Sequence, residues 1–322
     1  MRLLLILLLT LNLLQAKKIA LLIGNSDYNF APLANPLNDV DGIYQTLKEI
    51  GFDISRKDVL KNASKTEIEN ALLNFEEKAQ NAEIALVYFS GHGMQVNNVN
   101  YMFPARTKVT KPIHLKKLVD LDTFIQSASS AKYGIILVDA CRNNPLVKYF
   151  QSGRYRGSVA KKGLGQVTPK SGQVVIGFAT SAGDTADDGN GDMSPYAKAL
   201  SERLKTPNKD ITKVLGLVAL DVSAEYEQNP IIRTNLAYDI YLNKVKMNSD
   251  KLEEMQKEII CLKYQKIILE NKKRMLENEY QIEYNKIMEY NKKSPNRSIA
   301  LPTTISVILT LPKLPNGINC ND

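Results

Sequence analysis

Short apolar runs alternate with amphipathic stretches from Lys18 to about Leu242. Each run is continuous rather than interrupted by polar residues, and Gly, Asn, Ser or Asp residues bound it. This is the pattern of strands that helices cover on both faces. The predicted strands are Ile19–Gly24, Ile84–Phe89, Tyr133–Asp139 and Val174–Phe178, with a weaker candidate near Asp58–Leu60.

Apolar residues with helical spacing fill the intervals between these runs. Ser64 and Glu67 have the spacing of a capping box, and Ser194 followed by Pro195 is typical of a helix start. Strands that alternate with helices predict an α/β fold with a doubly wound, mostly parallel sheet and helices on both faces. The predicted helices are about Asp39–Ile50, Ser64–Ala79, Leu115–Ala131, Pro195–Leu204 and Ile211–Glu227.

The amino-terminal residues 1–16 differ in composition from the rest of the chain. One Arg precedes about a dozen mostly Leu and Ile residues, a run too short to span a bilayer comfortably. Such a run is typical of a secretory signal peptide, and cleavage after Ala16 would leave a mature chain that begins near Lys17. We therefore predict an exported protein, periplasmic or secreted, with no stable membrane span after signal removal. An uncleaved membrane anchor or a buried first strand is the alternative.

The pattern changes again after about Met247, where apolar residues follow a heptad frame. Lys266, Lys273 and Glu283 interrupt that frame. We predict a long helix or coiled coil that could self-associate through residues 252–290, while a single helix that packs on the domain or lies in solvent is the alternative. The apolar a and d positions are Leu252, Met255, Ile259, Leu262, Leu269, Leu276, Tyr280, Ile287 and Tyr290.

These changes in pattern divide the chain into four parts. They are a signal peptide at 1–16, a main domain at 17–243, a helical or coiled-coil extension at 247–293 and a tail at 294–322, to which we assign no role. The formal net charge is +8, with Lys and Arg spread along the chain. Because phosphate binding needs clustered cations, no nucleic-acid partner is predicted. The few Cys and His residues lack metal-ligand spacing, so neither a resident metal nor a required cofactor is predicted.

Two of the predicted strands end in polar clusters that contain candidate catalytic residues. Ser90–Gly93 follows the strand at Ile84–Phe89, and Asp139–Cys141 ends the next strand along the chain. The carboxyl ends of parallel strands form one rim of an open sheet, so His92 and Cys141 should meet there. A thiol attacks a carbonyl well only as thiolate, and an imidazole beside it can protonate the leaving group. Each residue alone would more often be a buried Cys or a hydrogen-bonded His.

These two motifs resemble those of the caspase-type cysteine peptidases, and most of all those of metacaspases and bacterial orthocaspases. Ser90–Gly93 matches the His motif, and Asp139–Pro145 matches the Cys motif about fifty residues downstream. The resemblance covers roughly Lys18 to Leu242. It implies that Cys141 is the nucleophile and His92 the general acid–base, without a third catalytic side chain. It also implies that the backbone N–H groups of Gly93 and Cys141 stabilise the oxyanion.

The same resemblance implies a preference for basic substrates. Caspases proper have Gln two residues before the Cys, whereas this chain has Asp139. In metacaspases the residues matching Asp39, Ser90 and Asp139 line a pocket for basic side chains, which suits guanidinium or ammonium groups and repels acidic ones. The expected function is a cysteine-type endopeptidase that cuts protein or peptide substrates after Arg or Lys. The alternative for Asp39 is that it merely caps a helix.

Two loops carry further expectations. Many metacaspases require calcium, so calcium is a candidate ligand, and Asp184, Asp187, Asp188 and Asp192 are close in sequence. Their spacing is not that of an EF-hand, and a solvated acidic loop is the alternative. The Gly- and Lys-rich loop at 148–170 offers basic residues to a basic-residue pocket, so we expect the enzyme to process itself there.

Other classes of protein remain as alternatives. A catalytically idle caspase-like module could act as a scaffold through its C-terminal helix, although such modules typically lose the Cys or the His. A nucleotide-binding Rossmann-like domain lacks its fingerprint here, because no Gly-x-Gly-x-x-Gly follows the first strand.

Overall fold

A mostly parallel sheet forms the centre of the main unit of the protein. The computed structural model describes residues 17–141, 160–161, 172–181, 191–245, 249–293 and 300. The chain divides into two units, Met1–Val245 and Lys246–Asp322. The strands are β1 Lys18–Gly24, β2 Val59–Lys61, β3 Ile84–Val96, β4 Val99–Met102, β5 Val119–Asp120, β6 Tyr133–Cys141, β7 Ala160–Lys161, β8 Gln173–Phe178 and β9 Ile231–Thr234.

The main path of the sheet runs in the order β2-β1-β3-β6-β8-β9. The pairs along it are parallel except β8 with β9. Beyond the end of β1, β3 continues and pairs antiparallel with β4 and β7. The helices are α1 Pro36–Glu49, α2 Lys65–Ala79, α3 Leu121–Ser129, α4 Pro195–Arg203, α5 Ile211–Glu225 and α6 Ser249–Lys293.

Helices cover both faces of the sheet, and successive strand residues face opposite layers. On β1, Leu22 lies in a cluster with side chains of α1, α4 and α5, whereas Ile23 lies in a second cluster with side chains of α2 and α3. On β6, Leu137 and Val138 alternate in the same way. Continuous apolar strands are therefore buried on both sides, and the predicted doubly wound α/β fold is confirmed.

Several predicted boundaries are confirmed by the hydrogen bonds at the helix starts. Ser64 caps α2, and its hydroxyl accepts from the Glu67 N–H while the Glu67 carboxylate accepts from the Ser64 N–H. Ser194 caps α4, with Pro195 in the first turn.

Other boundaries were wrong for identifiable reasons. The predicted helix at Leu115–Ala131 is a 3-10 turn at Pro112–Lys117, then β5, then α3. Asp120 caps α3 by accepting from the Asp122 N–H, so the helix cannot begin earlier. The strand predicted at Ile84–Phe89 continues to Val96, because polar residues there are still paired within the sheet.

The second unit contains the predicted helix as one continuous element, α6, of 45 residues. Several apolar side chains of its heptad frame are exposed, among them Leu262 at 59% and Leu269 at 68%, whereas Ile287 is buried. The helix is confirmed, and the coiled coil stays a prediction. Within the part of the chain that the structure describes, no helix is both long and apolar enough to cross a membrane.

Candidate active site

The His and Cys motifs lie side by side at the carboxyl ends of two adjacent strands. In the parallel register of β3 with β6, His92 is the direct partner of Cys141, and Ser90 is the direct partner of Asp139. The positions of the two motifs at strand ends predicted that they lie at one rim of the sheet, and the backbone brings them together there. Residues 49 positions apart in sequence (141 − 92) thus become nearest neighbours across the ladder.

The imidazole of His92 is buried and its orientation is fixed. Nε2 lies 2.7 Å from the carbonyl oxygen of Ala31. A carbonyl can only accept, so Nε2 carries the proton and Nδ1 is the basic nitrogen of the neutral ring. Ala31 is thus a third member of the site that sequence reasoning missed, because a backbone carbonyl leaves no signature in the residue types.

Three aromatic rings, Tyr28, Phe30 and Phe103, surround the imidazole and form what we call the histidine platform. The ring of Phe30 stacks on His92 at a centroid distance of 5.1 Å, and Tyr28 lies at 4.5 Å. The Tyr28 hydroxyl accepts from the His92 N–H at 3.2 Å and donates to the Phe103 carbonyl at 3.1 Å. The ring and the backbone of His92 are therefore held by the same loop.

Gly91 is required for this close approach. Its φ is +156°, and a Cβ there would come within 2.5 Å of the Tyr28 hydroxyl and 3.1 Å of the Asn25 carbonyl. Asn25 is itself buried, and it accepts from the Ala63 N–H and donates to the Phe103 carbonyl. The glycine before His92 thus lets the histidine platform pack against β3.

The backbone at Gly93 faces the side of β3 opposite to that of His92. The His92 carbonyl accepts from the Phe103 N–H at 3.0 Å, so the His92 backbone faces the β4 side of the strand. Backbone groups of successive strand residues face opposite sides, which directs the Gly93 N–H to the side on which β6 lies.

Beside the His and Cys lies a buried group that we call the carboxylate cluster: Asp39, Tyr88, Ser90, Asp139 and Ser194. The Ser90 hydroxyl donates to Asp39 Oδ2 at 2.8 Å, and the Ser194 N–H donates to Asp39 Oδ1 at 2.8 Å. The Ser194 hydroxyl and the Tyr88 hydroxyl donate to Asp139 Oδ2 at 2.5 and 3.2 Å. Sequence reasoning found three of these residues and missed Tyr88 and Ser194.

The position of Asp39 settles the alternative role that its sequence position allowed. The N-cap of α1 is Asn35, and Asp39 lies in the first turn with its carboxylate directed to Ser90 and Ser194. The interpretation of Asp39 as a helix cap is therefore wrong.

Burial and charge together keep the tyrosines beside the cluster protonated. Burial, and then the negative charges of Asp139 and Asp39, raise the pKa of Tyr88 well above its usual value of 10. Burial, and then Asp139, raise the pKa of Tyr196 as well. The Tyr88 hydroxyl thus stays protonated at physiological pH and can donate its hydrogen bond to Asp139.

Comparison with known proteins assigns this arrangement to a family. A family profile described as "Caspase domain" matches residues 17–241. The chain belongs to the caspase domain family of cysteine peptidases. No curated protein matches the sequence.

Among solved structures, the fold is similar to that of caspase-1 from Spodoptera frugiperda. The TM-score is 0.50 and the sequence identity 18%, and the match covers 72% of this chain and 93% of the insect protein. At this identity the likeness shows the fold alone, and it confirms the caspase-like arrangement of the sheet and helices.

Several expectations fall on residues outside the described ranges. The signal peptide at 1–16 and Asp184, Asp187 and Asp188 of the acidic loop are among them, and so is most of the 148–170 loop. The described part of that loop is β7, Ala160–Lys161, whose backbone pairs with Val96 and Gln95 of β3. Lys161 thus lies in a strand, and self-processing stays a prediction. No cluster of three potential metal ligands occurs among the residues that the structure describes.

Proposed function

We propose that this caspase-family member is an active endopeptidase that cuts after Arg or Lys through a dyad of His92 and Cys141. The observation that carries the proposal is the register of β3 with β6, which makes the two residues direct partners at the rim of the sheet. The bond from Nε2 to Ala31 adds to it, because it leaves Nδ1 as the base.

In the proposed reaction the Cys141 thiol gives its proton to Nδ1 of His92, and the thiolate attacks the substrate carbonyl carbon. A C–S bond forms, and the Gly93 and Cys141 N–H groups stabilise the negative oxygen of the tetrahedral intermediate. His92 then protonates the leaving amine as the C–N bond breaks. Water then attacks the thioester carbon as it gives a proton to Nδ1. The C–S bond breaks, the acid is released, and the Cys141 thiolate takes the proton back from Nδ1.

The proposed substrate preference follows from the charge of the carboxylate cluster. Asp39 and Asp139 are both buried, and the donors around them include the hydroxyls of Ser90, Ser194 and Tyr88 and the Ser194 N–H. Two acidic side chains thus lie together beside His92 and Cys141. A guanidinium or ammonium group from a substrate would be attracted to these carboxylates, whereas an acidic side chain would be repelled.

Peptide cleavage by purified protein without residues 1–16 tests the proposal. Peptides with Arg or Lys at the cleavage site should be cut fastest. Peptides with the neutral analogue citrulline should be cut more slowly, and cleavage after Asp should be negligible. Cys141→Ala and His92→Ala should each lower turnover by about 10⁴-fold or more while leaving the protein folded. Substantial turnover by folded Cys141→Ala protein would overturn the dyad, and preferred cutting after Asp would overturn the acidic pocket.

Calcium is tested as a candidate ligand, and self-processing is proposed for the same enzyme. The assay with and without calcium decides the first, since activation at constant ionic strength supports a bound ion and equal rates contradict it. Gel analysis of active enzyme beside Cys141→Ala decides the second. Fragments from cuts in 148–170 that appear only in the active protein support self-processing, and an intact active chain contradicts it.

Export is proposed from residues 1–16. Mass spectrometry of the native protein should find a chain that begins near Lys17, and an intact amino terminus in the cytoplasm would contradict export.

We also propose that α6 pairs with a second copy of itself in antiparallel orientation. In a parallel pair the polar heptad positions would place Lys266 against Lys266 and Glu283 against Glu283. An antiparallel pair that sets Lys266 opposite Glu283 of the second copy also sets Leu269 opposite Tyr280 and Lys273 opposite Leu276. The charges of Lys266 and Glu283 then become complementary.

Sedimentation of the whole protein tests this pairing, and with it the scaffold alternative. Lys266→Glu should weaken the dimer, and adding Glu283→Lys should restore it. A monomer at every concentration, or no rescue by the second substitution, would contradict the antiparallel pair. The scaffold alternative would be favoured if the wild-type dimer has no peptidase activity and if the Cys141→Ala variant binds partner proteins as well as the wild type does.

A further inference from the structure

Ser194 bonds both carboxylates of the cluster at once. Its N–H donates to Asp39 Oδ1 at 2.8 Å, and its hydroxyl donates to Asp139 Oδ2 at 2.5 Å. The same hydroxyl oxygen accepts from the Ala197 N–H at 3.0 Å and so caps α4. The Ala197 N–H occupies one lone pair of the hydroxyl oxygen, and the single hydroxyl proton is donated to Asp139. The helix cap therefore helps to fix the direction in which Ser194 donates. The side chain is buried, with 3% of the residue exposed.

The two carboxylates that Ser194 joins come from different elements of the fold. Asp39 belongs to the first turn of α1, and Asp139 belongs to β6, two residues before Cys141. Like charges in a buried site repel each other, so their separation and orientation need a group that holds both. Ser194, at the start of α4, bonds both carboxylates. It is connected by backbone to one carboxylate and by side chain to the other.

We propose that Ser194 is a positioning residue that sets the preference for Arg over Lys. The inference rests on the proposed function, in which Asp39 and Asp139 receive the basic side chain of the substrate. A guanidinium is planar and binds carboxylates through a rigid fork of donors, whereas an ammonium is a compact point charge. A carboxylate pair held in one geometry therefore favours arginine, and a pair whose relative orientation is less restricted weakens arginine binding more than lysine binding.

Three substitutions separate the bridge from the helix cap. Ser194→Ala removes the hydroxyl and the cap together, and Ser194→Gly removes the hydroxyl at a much smaller cost to the cap. Ser194→Thr retains a hydroxyl for both. Ser64→Ala is the matched control, because Ser64 caps α2 at an exposed position outside the carboxylate cluster.

The readout is kcat/KM for matched peptides ending in Arg and in Lys. In Ser194→Ala and Ser194→Gly the ratio of the two values should fall by about tenfold, as expected for a lost bond to a charged group, with the loss mainly in KM. Ser194→Thr should recover most of the ratio, and Ser64→Ala should leave it unchanged. A ratio within twofold of the wild type in both Ala and Gly variants would overturn the proposal. An equal fall in Ser64→Ala would do the same.

Binding to Cys141→Ala protein separates this proposal from the proposed function. Calorimetry with a tripeptide amide ending in Arg, and with one ending in Lys, measures the pocket without catalysis. If Cys141→Ala binds the Arg peptide and added Ser194→Ala or Ser194→Gly lowers the Arg-to-Lys affinity ratio by about tenfold, the role of Ser194 stands even for an inactive enzyme. If the Arg peptide binds but the Arg-to-Lys affinity ratio does not change, the pocket is selective for basic side chains and Ser194 does not set its preference for Arg. If neither peptide binds, both the basic pocket and the role of Ser194 are wrong.

Discussion

The two halves of the candidate site are built by different means. His92 is held by the aromatic packing of the histidine platform and by hydrogen bonds, such as the one from Nε2 to the Ala31 carbonyl. In the carboxylate cluster, Asp39 and Asp139 accept hydrogen bonds from hydroxyls and from one N–H. Packing fixes where the proton-transfer group lies, whereas directed donors fix how charge is presented. We therefore expect damage to the first half to lower kcat and damage to the second half to raise KM.

Gly91→Ala should have the largest effect, because the added Cβ would displace the histidine platform from the backbone next to His92. A Cβ would meet the Tyr28 hydroxyl at 2.5 Å, and the backbone at φ +156° disfavours a side chain. We expect a loss of about 2 kcal/mol of stability and, from the displaced imidazole, a fall in kcat of about 100-fold.

Gly216→Ala is the matched control for that substitution. Gly216 lies within α5, and a Cβ there meets nothing within 4 Å. It should gain about 0.5–1 kcal/mol from helix propensity and retain wild-type kcat. Denaturant unfolding and steady-state kinetics measure both variants. Wild-type kcat in Gly91→Ala would show that the platform does not position His92.

Asp139→Asn should have the next largest effect, and it should fall on the other half of the comparison. The amide keeps an oxygen that can accept from Ser194 and Tyr88 but removes a buried negative charge. We expect kcat/KM for Arg peptides to fall by about 100-fold, mostly through KM, because a charged partner of the guanidinium is lost. Citrulline peptides provide the control, since their cleavage should change little. An equal loss for citrulline would mean that Asp139 acts on the dyad and not on specificity.

Phe30→Ala should have a smaller effect, again on the histidine side. It removes the ring stacked on His92 at 5.1 Å, a contact worth about 1 kcal/mol, and we expect kcat to fall by about tenfold with KM little changed. Tyr238→Ala is the control, because that ring is 73% exposed. A rise in KM without a change in kcat would mean that Phe30 acts in substrate binding. It would contradict the assignment of kcat effects to the histidine half and KM effects to the carboxylate half.

The sequence could predict the residues of the candidate site only where the residue type itself indicates a role. His92, Cys141, Asp39, Ser90 and Asp139 were found because strand ends and a family motif mark them. The Ala31 carbonyl was not, because any residue could supply it. Ser194 was assigned to a helix start and to a segment that resembles the family, but not to the site. Its bonds to Asp39 and Asp139 depend on the packing of α1 and β6 against α4, which a local sequence pattern does not show.

The fold shows the same division between local and long-range information. The strands β1, β6 and β8 and the caps at Ser64 and Ser194 follow from local patterns, and their bounds agree with prediction within two residues. β9 was missed, since its four residues carry no distinctive pattern and their pairing with β8 joins segments more than fifty positions apart.

Tyr88→Phe should have the smallest effect, and it tests whether hydrogen bonding governs the carboxylate half. The substitution keeps the buried ring, which packs among core residues, and removes only the hydroxyl that donates to Asp139 at 3.2 Å. The bond is longer than the 2.5 Å bond from Ser194 to the same oxygen, so Ser194 should still hold the carboxylate. We expect KM for Arg peptides to rise about threefold with kcat unchanged, which is the lower end of the range for such bonds. Because burial and the carboxylate charges raise the pKa of Tyr88, the wild-type hydroxyl stays protonated, and the difference in KM should be constant from pH 6 to 9. A KM difference that vanishes toward pH 9 would mean that the hydroxyl ionises there and that its environment is less negative than the cluster requires. A fall in kcat instead would mean that the two halves of the site are coupled through β3.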